Sequence, residues 1–502
     1  MGWNSNCGLG DLARGAQQQA AQREERQGKE SGENGLKHGR DYIMAVTRER
    51  IMEFPKKILT EIRESGAKRI KVAVTDLDGI LRGKFLHPDK FFSAVESGMG
   101  FCNVVLGWDS NDVCFDNTQW TGWHTGFPDA MVRLDPASYR HVPWDNNVPF
   151  FLGDFVEADG GPTPVCPRQL YKKVLARAGK MGFKVAASLE YEWFNFRETP
   201  QSFAAKGYTR PEPISPGMFG YSLIRAAQNQ PFFNALMEEM PQFGVPVEGL
   251  HTETGPGVFE AAILYTEGVD AGDRAVLFKT AAKEIGQRFG IMPSFMAKWN
   301  TQYPGCSGHV HQSLSDGKKN VFYDAKNKYR MSKLFESYLA GQLHCLEDIQ
   351  CFFAPTVNSY KRLVDGMWAP VKRTWGVDNR TASLRVIPGS AKSTRLETRC
   401  PGADTNAYLA LAAAVASGLY GIEKGMKLKD APLSGDAARA AKIPRLPRNL
   451  GAAVENLKRS KIARELFGET FVDHYARTRE WEWRQFQDAV TDWELKRYFE
   501  II

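Results

Sequence analysis

The run AASLEYEWFNF, residues 186 to 196, constrains this chain more than any other feature. Side chains alternate between faces along a strand, so Glu190 and Glu192, two residues apart, lie on the same one. An isolated Glu-x-Glu is ordinarily a solvated strand face. Here the neighbours are Ala, Leu, Tyr, Trp and Phe, and two carboxylates side by side in an apolar setting repel unless a cation lies between them. The sequence therefore predicts a strand inside a sizeable core, with its acids holding a divalent metal.

The chain around that strand is long enough for two buried cores. It has 502 residues, 43% hydrophobic and 25% charged, which is ordinary globular composition. Residues 1 to 43 are rich in Gln, Glu, Arg and Gly, contain too little apolar surface to offset their ordering entropy, and are expected to be disordered or weakly helical. Their mixed charge argues against a mitochondrial presequence. A core is expected to start near Met44. From Lys71, IKVAVTDLDGILRGKFL reads as two strands joined at Asp78-Gly79, where Gly tolerates positive φ. Short strands and turns continue to about Pro149, giving a small, mostly β domain over 44–155. Pro167 opens a predicted helix, the start of a second domain over 156–502 in which helices (267 to 290, 331 to 352, 404 to 423) alternate with short strands. The fold class expected is α+β or α/β.

Several classes of function are disfavoured. The net charge of +7 is modest and its basic residues are interleaved with acids, so nucleic-acid binding is not indicated. The eight cysteines are scattered without a CxxC pair, which suits a reducing, cytoplasmic compartment. No apolar run reaches membrane-spanning length, and no secretory leader is apparent.

Three further elements carry chemistry. In HTETGPGVFEAAI, Glu253 and Glu260 bracket a Gly-Pro-Gly turn that can bring them to a common point. In GCSGHVHQSL, His309 and His311 share a strand face with Ser313 after them, a pattern suited to a metal or a phosphate. The stretches NSYKRL, DNRTASLRV and AKSTRLETRC supply Lys361, Arg362, Arg380, Arg385, Lys392, Arg395 and Arg399, with Glu397 set among the cations. Paired guanidinium donors recognise carboxylate or phosphate.

In this order, the four elements resemble the glutamine synthetase family, type I branch and relatives, over roughly residues 70 to 502. The resemblance implies that Glu192, Glu253 and Glu260 ligate one divalent metal, and Glu190, His309 and Glu397 another, Mg²⁺ or Mn²⁺. It implies that Gly305, Arg362, Arg380 and Arg399 hold glutamate and the transferring phosphate. His311, Ser313, Arg385, Lys392 and Arg395 would approach ATP. The implied reaction activates the glutamate side chain as a γ-glutamyl phosphate, which an amine then attacks. The implied architecture is an N-terminal β-grasp domain, a larger catalytic domain, and a homo-oligomeric ring, commonly a dodecamer of stacked hexamers with active sites shared between subunits.

The sequence also departs from that pattern. Ammonia-using members carry a glutamate in the loop after NSYKRL, where this chain reads DGMWAP with Trp368 in the corresponding place. Tryptophan is no base, but its face attracts an alkyl or cationic group by roughly 0.5–2 kcal/mol. An organic amine is therefore expected as acceptor in preference to ammonia, with Asp109 matching the family's amine-site aspartate. Pro304, Cys306 and Val258 replace residues common in the family, and residues 424 to 450 lack the tyrosine that adenylylation modifies. The alternatives are a true glutamate–ammonia ligase, a catalytically silent lengsin-like member, and the guanidino-phosphotransferase chemistry of a related fold. Six retained candidate ligands weigh against silence.

Overall fold

Runs of β-branched and aromatic residues pair into two sheets in the computed structural model, which describes residues Phe54–Ile502. The expectations for residues 1 to 43, and for a core beginning near Met44, lie outside the described residues. The first sheet holds β1 (Ile70–Thr75), β2 (Leu81–Leu86), β3 (Met99–Cys102), β4 (Asp129–Leu134), β5 (Arg140–Val142) and β6 (Val148–Val156). Its order is β2-β1-β6-β4-β3, with β5 also on β6. β1 and β6 run parallel, the other pairs antiparallel.

The nine residues of β6 are all buried, and strand alternation explains why. Phe151 and Phe155 point into one core with Val72, Val74 and Phe91, while Phe150 and Leu152 point into a larger one with Leu170, Tyr191 and Phe278. A strand covered on both faces reads as a continuous apolar run rather than an alternating one.

The β1–β2 hairpin forms as expected, with Thr75 opposite Leu81. Gly79 takes φ 81°, and Asp76 Oδ1 accepts from the backbone N–H of Asp78 and Ile80. A Cβ on Gly79 would sit 3.0 Å from the Asn406 Cα. Asn406 Nδ2 donates to the carbonyls of Asp76 and Leu77, and its Oδ1 caps the helix Ala407–Glu423. One asparagine thus ties the hairpin to the central helix of the larger core.

The second sheet contains β7 (Lys184–Phe196), β8 (Val247–Thr252), β9 (Val258–Ile263), β10 (Thr266–Glu267), β11 (Met292–Ser294), β12 (Gly308–Ser315), β13 (Trp375–Val377), β14 (Leu384–Ile387) and β15 (Arg395–Thr398). The order is β13-β14-β15-β12-β7-β9-β8, with β10 and β11 on β7. The expected helices appear as Pro167–Lys180, with Pro167 at its first position, Asp270–Gln287, Lys333–Cys345 and Ala407–Glu423. The single helix expected over 331 to 352 is interrupted: it ends at Cys345, and a short turn of helix resumes at Gln350–Phe353. The mixture of helix and sheet is the α+β class expected.

Ala407–Glu423 is buried on nearly every side, as a helix apolar all round must be. It crosses Lys333–Cys345 at glycines: a Cβ on Gly421 would lie 2.1 Å from the Ser337 carbonyl oxygen, and one on Gly341 2.3 Å from that of Ser417. Gly421→Ala should therefore destabilise the protein by roughly 1–3 kcal/mol through overpacking. Urea denaturation checks this, and an unchanged midpoint would show that the helices separate freely.

Candidate active site

The register of the second sheet lines up residues far apart in the chain. His309 on β12 stands opposite Glu190 on β7, and His311 opposite Glu397 on β15. On the other side of β7, Glu192 faces Glu260 on β9, which in turn faces His251 on β8. Directly opposed residues of antiparallel strands share a face and lie close enough to interact. The result is a row of carboxylates and imidazoles across five strands.

One end of the row is rich in cations. His309 Nδ1 lies 3.2 Å from Glu190 Oε1 and 3.4 Å from Glu397 Oε1. Arg385 Nη1 donates to Glu397 Oε2 at 2.8 Å, and Arg399 Nη1 donates to Oε1. Burial alone would raise the Glu397 carboxyl, but Arg399, His309, His311 and Arg385 outweigh it and hold it down at about 2. Glu190 is likewise held well below the usual carboxylate range: burial would raise it, but the neighbouring imidazoles of His309 and His311 prevail.

The other end has excess negative charge. Burial and the neighbouring Glu253 raise Glu192; burial, Glu190 and Glu192 raise Glu260. His251 Nε2 lies 3.3 Å from Glu260 Oε1 and its Nδ1 3.7 Å from Glu253 Oε2. Against the pull of burial, Glu260 and the Thr252 carbonyl push this imidazole up to about 9.

Ligand atoms of Glu190, His311 and Glu397 fall within 4.8 Å of one another, and so do those of His251, Glu253 and Glu260. His309 Nε2, His311 Nε2 and Glu253 Oε2 are buried without a hydrogen-bond partner, which is costly unless a cation or ligand completes them. Carboxylate oxygens with imidazole suit Mg²⁺ or Mn²⁺. The residues therefore fit a pair of divalent ions. Arg395 Nε donates to His311 Nδ1 at 3.2 Å, so a neutral His311 carries its proton on Nε2 and is better placed to donate than to ligate. That leaves His309 as the imidazole facing both Glu190 and Glu397.

A cavity of about 250 Å³ opens beside Glu190, lined among others by Glu248, Tyr265, His311, Ser313, Lys392 and Arg395. Four of the five residues expected around a nucleotide are here; Arg385 is not, being paired with Asp378 and Glu397. Arg362 is buried, donating to the carbonyls of Cys400 and Arg399. It packs on Gly305, where a Cβ would come 2.8 Å from the arginine's stem and 2.3 Å from the Ala297 oxygen. Glu192 is in neither set of three; its Oε2 accepts from the Ser307 N–H at 2.8 Å. Arg380 acts on the phenol of Tyr221, opposing burial, Glu253 and Glu260, which raise it.

Two expected residues stand elsewhere. Asp109 lines a separate cavity of about 1330 Å³ together with Lys279, Phe295 and Arg479. Trp368 is 61% exposed on a turn with φ 62° and lines neither cavity. Sequence reasoning missed His251, Tyr221, Glu248 and Tyr265. His251 was within reach, since it precedes Glu253 by two residues and so shares its strand face. Tyr221, stacked on His251 with ring centroids 4.3 Å apart, and Tyr265 carried no local signal.

Among the described residues no helix is long and apolar enough to cross a membrane. Residues 164–498 match the family described as glutamine synthetase, catalytic domain. The chain is 50% identical over 450 residues to the type-1 glutamine synthetase 2 of Dictyostelium discoideum, covering 89% of this chain and 86% of that one. It is 34% identical to the glutamate–isopropylamine ligase of Pseudomonas sp, covering 89% of this chain and 98% of the relative. The solved structure of a GmaS/ADP complex superposes with a TM-score of 0.77 at 26% identity, covering 88% of this chain and 99% of that one. The sheet register, the acid row and these matches agree: the chain is a ligase-fold protein belonging to the glutamine synthetase family, whose members use ATP and divalent metals.

Proposed function

We propose that the chain joins an organic amine to the side-chain carboxylate of glutamate, at the expense of ATP, through a γ-glutamyl phosphate. The observation that carries the reading is the acid–imidazole row beside the cavity of Lys392 and Arg395. On this reading Glu190, His309 and Glu397 would hold one Mg²⁺ or Mn²⁺, and Glu192, Glu253 and Glu260 the other. The ions supply the positive charge that lets anionic phosphate approach an anionic carboxylate. His311, Ser313, Lys392 and Arg395 orient the nucleotide. Arg362, Arg380 and Arg399 hold glutamate and steady charge as it shifts among phosphate oxygens, a task suited to a fixed, permanently ionised fork.

Trp368 supports an organic acceptor: the loop position holds an aromatic face instead of a base, and its exposure leaves that face free. The isopropylamine ligase among the relatives supports the same class. Ammonia is the second reading, favoured by the 50% identical relative named as a glutamine synthetase. The catalytic domain over 156–502, a smaller β-grasp domain over 44–155, and a ring of subunits belong to the same proposal. Asp109, on a cavity apart from the acid row of its own chain, suits a site completed by a neighbouring copy.

Phosphate release from ATP and Mg²⁺ tests the reading, with and without glutamate, across ammonium, isopropylamine, ethanolamine, putrescine and an aromatic amine. We expect glutamate-dependent release with one organic amine at least about tenfold above ammonium in kcat/KM, equivalent to ~1.4 kcal/mol. Ammonium clearly preferred would overturn the acceptor, and release with none of them would overturn the ligase.

A further inference from the structure

We propose that Asp404 is a positioning residue for glutamate binding: its carboxylate fastens the segment that carries Arg362 to the segment that carries Gly305. The inference deepens the ligase reading above, in which Arg362 holds glutamate, and rests on it.

Arg362 ends the short helix Ser359–Arg362, and the turn leading into that helix is gripped by one carboxylate oxygen. Asp404 Oδ2 accepts from Thr356 Oγ1 at 2.8 Å and from Ser359 Oγ at 2.5 Å. The same two hydroxyls accept crosswise from the backbone, Thr356 N–H donating to Ser359 Oγ at 3.0 Å and Ser359 N–H to Thr356 Oγ1 at 3.1 Å. The residues between them are held from elsewhere: Glu482 accepts the Val357 N–H, and the Asn358 amide pairs with the backbone of Lys298.

On its other side Asp404 belongs to a stretch bonded to the approach of β12. Gly308 N–H donates to the Pro401 carbonyl at 3.0 Å, and Ala403 N–H to the Cys306 carbonyl at 3.1 Å. A Cβ on Gly402 would lie 2.3 Å from Asp404 Oδ1, so glycine there leaves room for the carboxylate. Arg362 rests its guanidinium on the carbonyls of Arg399 and Cys400, with donors left over for a substrate carboxylate. Both glutamate-binding segments therefore meet on residues 399–404, and the Asp404 side chain joins them.

The competing role for Asp404 is a counter-charge, since its charge reaches both Lys279 and Arg362. A counter-charge needs the carboxylate. Two hydroxyl donors need an acceptor oxygen in one place, which asparagine also supplies.

Steady-state kinetics of the full-length protein, with ADP–Mg²⁺ affinity measured alongside to report a folded nucleotide site, decide between the two. In Asp404→Ala the KM for glutamate should rise by more than about tenfold while the KM for ATP and the ADP affinity stay unchanged. Asp404→Asn should return the glutamate KM to within about threefold of wild type. Ser359→Ala, which leaves the carboxylate its bond to Thr356, is the milder variant and should show the same split at about threefold. Asp404→Asn as impaired as Asp404→Ala, or Ser359→Ala with an unchanged glutamate KM, would overturn the proposal and leave the ligase reading intact. A wild-type protein without glutamate-dependent turnover would overturn both.

Discussion

Arg168→Met should cost the fold about 3–5 kcal/mol, the usual penalty for removing one partner of a buried ion pair. Arg168 is 1% exposed. Its guanidinium donates to Asp273 from Nε and Nη2, to Asp154 from Nη1 and to Asp135 from Nη2, each at 2.8 Å. Asp154 lies on β6, Asp135 just beyond β4, and Asp273 in the helix Asp270–Gln287. One side chain therefore joins the first sheet to the larger core. Methionine matches its length but leaves Lys172 as the remaining cation on Asp135 and Asp154.

Acid should reveal the same network. Burial would raise Asp135, but Arg168 and Lys172 prevail and hold it at about 2, below the ~3.9 of an unfolded chain. Its contribution is thus fully present above the unfolded value and is lost as pH falls through about 2. Without Arg168 that window should move upward, so acid unfolding of the variant should begin at higher pH than in the wild type. Urea midpoints measured from pH 7 to about pH 2 check both statements. A variant as stable as wild type across that range would show that the desolvation of four charged groups cancels their attraction.

Glu397→Gln should remove most activity. Loss of a group that merely supports a metal ligand costs about 10–100-fold in affinity or activity, and loss of a ligand should exceed it. Glu397 is 0% exposed and accepts from both Arg385 and Arg399. Glutamine keeps the shape and one acceptor but leaves the Arg399 guanidinium beside His309 without its counter-charge, and Arg385 with Asp378 alone. Both Mn²⁺ affinity and kcat for glutamate-dependent phosphate release should fall by more than about 100-fold, with circular dichroism to confirm a folded chain. A folded variant with near-normal kcat would remove Glu397 from the site.

The elements carrying strong local signals were legible. Pro167 opens its helix because its fixed φ and missing N–H suit the first helical position. The β1–β2 hairpin closes over Gly79 because that residue accepts φ 81° without strain. The helix expected over 331 to 352 was overextended because Leu346 and Ile349, within the break itself, are apolar and buried, so the apolar pattern continues through it. In the site, Glu190 with Glu192 and His309 with His311 were readable as pairs. The pairing of Glu397 with two arginines, and the arrival of Tyr221 and Tyr265, were not.

By itself the sequence determined which functional side chains share a face, since the period of a strand is set by its own backbone. Only the tertiary structure decided which faces meet: His309 against Glu190, Glu260 against His251, Arg385 against Glu397. His309 and Glu190 are 119 residues apart in the chain, and even the nearer pairs, on β8 with β9 and β14 with β15, meet only in the register the packed sheet sets. A residue's chemistry is local, whereas the charge beside it is a property of the packed sheet.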